Sequence, residues 1–138
     1  MKKITILLVI IFTFLFSTTS WGEWTFVTKE KIDSHKLYYE KDRLRKSEKY
    51  IYFWMLIDYS KPDEMGFLSK TTYVELDCSI FRVNTLKTLG YKKSMGEGII
   101  EYSETPRNKF GNSGYSWDYP SPNTVFEIMF NKICEEHQ

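Results

Sequence analysis

Residues Thr72 to Leu86 read TYVELDCSIFRVNTL, and the alternation in this stretch decides the fold. Thr72, Val74, Leu76 and Cys78 fall on one face of an extended chain, and Tyr73, Glu75, Asp77 and Ser79 on the other. A period of two with one apolar side is the pattern of a strand covered on that side. Cys78 then points where Val74 and Leu76 point, towards a core. Phe81 to Leu89 reads as the next strand, with Gly90 as a turn.

Upstream, KYIYFWMLIDYSKP is nearly all apolar from Tyr50 to Ile57. Its Tyr, Ile, Phe and Trp content favours strand over helix. A strand apolar on both faces predicts cover on both faces, and Pro62 stops it. Trp24 to Thr28 and Lys36 to Tyr39 are shorter candidates, and Gly96 and Gly98 precede a last strand, Ile99 to Tyr102. Five to six strands with short connections and no helix between them predict an antiparallel meander.

After an irregular connection from Glu104 to Pro120, SPNTVFEIMFNKICEEHQ opens with a helix signal. Ser121 can cap, and Pro122 suits the first helical position, where its missing N–H costs nothing. Phe126, Met129, Phe130, Ile133 and Cys134 recur at helical spacing as one apolar stripe. The expected class is α+β, an antiparallel sheet with one C-terminal helix packed on it.

The N-terminus sets the compartment. MKKITILLVIIFTFLFSTTSWGEW carries Lys2 and Lys3, an uncharged apolar run from Ile4 to Phe16, then small polar residues to Gly22. This is the layout of a secretory signal peptide over residues 1–22, cut before Glu23, leaving one domain over 23–138. The apolar run is shorter than the roughly 18–20 residues of a stable membrane span, so membrane contact is expected only through the uncleaved leader. No cysteine lies near the cut to carry a lipid.

In an oxidising compartment two cysteines read as one disulfide, the alternative being two unpaired buried thiols. A Cys78–Cys134 bond would staple the terminal helix, otherwise free to fray, onto the sheet.

Removing residues 1–22 takes away Lys2 and Lys3 and no acid, leaving 17 basic against 18 acidic residues and moving the formal charge from +1 to −1. A near-neutral domain lacks the electrostatic footprint of a nucleic-acid binder. The basic cluster KDRLRKSEK, Lys41 to Lys49, is interrupted by Asp42 and Glu48 and reads as a solvated turn.

His35 and His137 are the only histidines, and with both cysteines bonded they are too few for a zinc site. No Gly-x-Ser-x-Gly elbow, His-Glu-x-x-His helix or P-loop occurs, and Glu135-Glu136 sits at the wrong end of the helix for its dipole, as a frayed tail. No catalytic residue and no cofactor is expected. Aromatic residues make up 17% of the chain, and Tyr115, Trp117 and Tyr119 alternate among polar residues in GYSWDYP. That loop is the candidate binding element, since large rings supply rigid contact area at interfaces.

An ordered series of short pieces resembles the surface-adhesin protein E domains of Gram-negative bacteria. It comprises Trp24, the Tyr38-Tyr39 strand, FWMLIDYSKP from Phe53 to Pro62, and Ser69. VELDC from Val74 to Cys78, Met95-Gly96-Glu97-Gly98, Trp117, Pro120-Ser121-Pro122 and Cys134 follow. The resemblance implies an exported domain with a disulfide-docked C-terminal helix, and binding of host matrix or serum proteins, with dimerisation. It supplies no short binding motif. Two other readings use the same residues: a soluble periplasmic envelope protein with a structural role, and a binder of a small ligand such as haem between helix and sheet.

Overall fold

Strands β4 (Tyr50–Asp58) and β5 (Ser69–Asp77) pair antiparallel over their full length, from Tyr50 opposite Asp77 to Asp58 opposite Ser69. They form the centre of one antiparallel sheet in the computed structural model, which describes residues 22–106 and 116–137. The other strands are β1 (Trp24–Lys29), β2 (Lys36–Glu40), β3 (Arg45–Ser47), β6 (Arg82–Tyr91), β7 (Tyr102–Glu104) and β8 (Trp117–Asp118). The order is β1-β2-β4-β5-β6-β7, the expected meander. Short β3 pairs with the start of β4, and β8 with the start of β6. Helix α1 (Val125–His137) closes one face.

Alternation decides which side chains meet the helix. Ile51, Phe53 and Met55 of β4, Val74 and Leu76 of β5, and Leu37 and Tyr39 of β2 bury against Met129, Phe130, Ile133 and Cys134. Phe53, wholly buried, meets Phe130 edge-on at 6.3 Å between ring centroids. The disulfide joins Cys78 to Cys134 with their Cα atoms 5.7 Å apart. Cys78 is the first residue beyond β5, one step into the turn, but still packs against the core.

Several boundaries differ from the sequence reading, each for a local reason. The helix starts at Val125, not Pro122, because the Thr124 hydroxyl accepts the Glu127 N–H at 3.3 Å while the Glu127 carboxylate accepts the Asn123 N–H at 2.8 Å. The other end does not fray: the Tyr39 hydroxyl donates to Glu136 at 3.0 Å and Lys132 pairs with it at 3.1 Å. Lys132 and Tyr39 together hold the Glu136 carboxyl below its usual range, and burial with Glu136 pushes Tyr39 up to about 12.

Gly90 is a buried strand residue rather than a turn. A side chain there would meet Tyr102 Cβ at 3.0 Å and the Phe67 ring at 3.1 Å, so glycine lets the two rings close over β6. The chain after Gly98 regains the sheet only where the Glu101 N–H reaches the Gly90 carbonyl. The strand expected at Ile99 therefore begins only at Tyr102, as β7, and Ile99 and Ile100 stay exposed.

Cover on both faces of β4 is the expectation that changes most. Of the β4 residues on the face away from the helix only Leu56 is buried, beneath the 3₁₀ turn Ser94–Gly96, while Tyr50, Tyr52 and Trp54 are half-buried.

Candidate binding face

The even-numbered residues of β4 and the odd-numbered residues of β5 share the face opposite α1, and the register lines their rings up. Trp54 and Tyr73 lie 5.2 Å apart, Tyr73 and Tyr52 6.4 Å, and Tyr50 and Trp117 5.6 Å. Trp117 reaches this row because β8 pairs Asn84 with Trp117 at the sheet edge. Cross-strand aromatic neighbours of this kind stabilise a sheet and form a flat apolar strip.

Cations frame the row. Arg45 lies 5.5 Å over the Tyr52 ring and donates to the Tyr73 hydroxyl at 2.9 Å. Lys49 lies 5.0 Å over Tyr50, and Arg82 4.2 Å over Trp117. The cluster Lys41 to Lys49 is thus not merely a solvated turn; through β3 it folds its charges onto the rings. The acids are tied down: Tyr52 donates to Glu75 at 2.5 Å, which with burial raises the Tyr52 hydroxyl to about 12. Asp77, fully buried, takes the Ser79 hydroxyl and N–H and lies 3.6 Å from Lys49 and 3.4 Å from Arg82. Burial pushes its carboxyl up, but these partners outweigh it and hold the group below its usual range.

Beside the row, a trough crosses the sheet with one side chain from each of five strands: Trp24, Glu40, Trp54, Thr71 and Leu89. The 3₁₀ turn walls one end. Its Met95 N–H bonds Asp58 at 2.7 Å and its Gly96 N–H bonds the Ser69 hydroxyl at 2.9 Å, with Met95 and Gly96 both at positive φ. Trp24, Trp54, Asp58, Ser69 and Met95-Gly96, far apart in sequence, meet here; they belong to the pieces that carried the family resemblance.

The candidate loop residues separate. Tyr115 lies outside the described residues. Trp117 joins the ring row, whereas Tyr119, 69% exposed, lies on the opposite side, lining a groove with Phe126 and Phe130. Tyr50, Tyr52 and Trp54 escape the sequence reading because they look like core in a run apolar on both faces, whereas Tyr73 lies on the expected outward face of β5 and Trp117 in the expected binding loop.

The concavity between helix and sheet exists as a groove of about 900 Å³, bordered by the β1–β2 turn and the start of α1. In that turn, Glu30, Asp33 and His35 bring one donor atom each within 4.8 Å of one another. Counting histidines and cysteines overlooked this grouping. His35 packs edge-on against Tyr59 at 4.9 Å, and the Glu30 carboxylate already accepts the Asp33 N–H at 3.1 Å. His137 is half-buried beside Glu136 at the helix end.

A sheet closed on one face by a disulfide-tied helix, with a ring-lined face opposite, is a scaffold that presents a surface. The chain belongs to the surface-adhesin protein E family, whose model matches residues 24–135. No curated protein sequence matches it. Crystal form II of Haemophilus influenzae protein E is similar in fold, with a TM-score of 0.58 at 14% identity over 87% of this chain and 93% of that one. A second structure of that protein gives 0.57 at 14% identity, covering 87% and 89%. One from non-typeable Haemophilus influenzae gives 0.53 at 14%, covering 86% and 79%. The antiparallel sheet, the C-terminal helix and the disulfide are those expected for the family. Among the described residues no helix is long and apolar enough to cross a membrane.

Proposed function

We propose that this chain is an exported, non-enzymatic adhesin-like domain, cleaved before Glu23, that binds a protein partner on the sheet face opposite α1. One observation carries the reading: Tyr50, Tyr52, Tyr73 and Trp117 form a half-exposed ring row framed by cations, and no described helix or strand crosses it. Rigid rings with arginine are the side chains that concentrate binding energy at protein interfaces. The partner is a host extracellular matrix or serum protein, and a second copy of the chain is a further candidate for the same face.

Protease treatment of intact cells, with osmotically lysed cells alongside, tests the location. Digestion on intact cells supports a host partner; protection until lysis places the domain in the periplasm and removes the host partner from the reading. Immobilised wild-type protein and the Tyr52→Ser and Tyr73→Ser variants are then compared for capture of proteins from a solubilised extracellular-matrix extract and from serum. Capture that is equal in all three refutes the ring row as the contact surface.

A further inference from the structure

Among the polar side chains in the trough, Thr71 stands out. It is 4% exposed, and its hydroxyl has no hydrogen-bond partner among the described residues. Its methyl faces the 3₁₀ turn, where a side chain at Gly96 would touch it at 3.3 Å. Valine would fill the same volume without desolvating a hydroxyl, so threonine here carries a cost that a bound partner group would offset.

The rest of the trough supplies a defined chemistry. Its volume is about 480 Å³, within the roughly 300–1,000 Å³ range of small-molecule sites. Trp24 and Trp54 give it flat apolar walls. Glu40, 2% exposed, is held by Arg43 through two parallel hydrogen bonds of 2.5 Å, Nε to Oε1 and Nη2 to Oε2. The Arg43 side chain is 64% exposed. A carboxylate and a guanidinium fixed side by side offer acceptors and donors to adjacent hydroxyl groups, each of which can both donate and accept. The pair is neutral overall and Glu97 on the rim adds negative charge, which disfavours an anion.

We infer that this trough is a binding site for a neutral pyranose sugar, the terminal unit of a glycan. The apolar face of the ring lies on Trp54, vicinal hydroxyls meet the Glu40–Arg43 pair from its exposed Arg43 side, and a further hydroxyl pairs with Thr71, whose buried oxygen turns outward to it. The site shares the sheet face with the proposed protein contact and borders it at Trp54, but Tyr52 and Tyr73 do not line it, and it stands without that contact.

Saturation-transfer NMR on the purified protein with the methyl glycosides of glucose, galactose, mannose and N-acetylglucosamine tests this. At least one should give saturable transfer, strongest at ring C–H protons, and a sialylated glycoside should give less. Thr71→Val should bind the same glycoside about tenfold more weakly while unfolding at the same or a higher urea concentration, which separates lost recognition from lost folding. Trp54→Ala should abolish transfer, and Ile128→Ser, on the exposed side of α1, should leave it unchanged. Transfer from none of the four glycosides, or unaltered binding in Thr71→Val, overturns the assignment. Protein capture is read on Tyr52 and Tyr73 and sugar binding on Thr71, so either proposal can fail alone.

Discussion

Replacing both cysteines, Cys78→Ala with Cys134→Ala, opens a loop whose ends are 56 residues apart in sequence. In the loop-entropy model the bond lowers the unfolded chain's entropy by about 14 cal/mol/K, or about 4 kcal/mol at 25 °C. Little further loss comes from the folded state, because Ala at position 134 still packs beside Phe130 and Ile133 in the core. Small domains have only about 5–15 kcal/mol of stability, so the variant should remain folded at 25 °C with its urea midpoint far lower. The slope of stability against urea should rise as well, since a chain without the crosslink unfolds to a more expanded state. Urea titration followed by intrinsic tryptophan fluorescence measures both. A loss below about 1 kcal/mol with an unchanged slope would refute the loop argument. It would mean that Tyr39 and the apolar stripe alone hold α1, with the bond merely decorating a docked helix.

Gly90→Ala should destabilise by about 1–3 kcal/mol through overpacking against Phe67 and Tyr102, whereas an uncrowded glycine-to-alanine change adds about 0.4–1 kcal/mol. The sign of the shift in urea midpoint decides between them. Asp77 has a folded pKa below its unfolded value, so its stabilisation is complete above the ordinary aspartate value of 3.8 and is lost as pH falls through the folded one. Asp77→Asn should therefore lower stability at neutral pH and flatten the acid limb of a stability-versus-pH curve below about pH 4. An acid limb as steep as wild type would remove Asp77 as a contributor.

How far the sequence could be read depends on the range of the interactions concerned. The alternation at Thr72–Cys78 and the helical stripe at Phe126–Cys134 depend on neighbours within two to four residues, and both appear as expected. A strand boundary shifted where a longer contact intervened, Phe67 and Tyr102 closing on Gly90 and keeping β6 going. The start of α1 shifted for a local reason, since Thr124 and Glu127 exchange caps three residues apart and compete with the Ser121-Pro122 signal. The grouping of Glu30, Asp33 and His35 needed a turn conformation that no spacing rule announces.

The sequence by itself determined the class of this protein: one antiparallel sheet, one terminal helix, and two cysteines on inward faces able to join them. Periodicity carries that information, because burial repeats every second residue in a strand and every third or fourth in a helix. Only the tertiary structure decided what the second face of β4 does. Its apolar residues read as buried, yet the one α-helix among the described residues covers only one face and the 3₁₀ turn reaches only Leu56. The rings left over, with the trough beside them, gather side chains from six strands and two turns. Such a surface is set by strand register and order, which one-dimensional patterning does not encode.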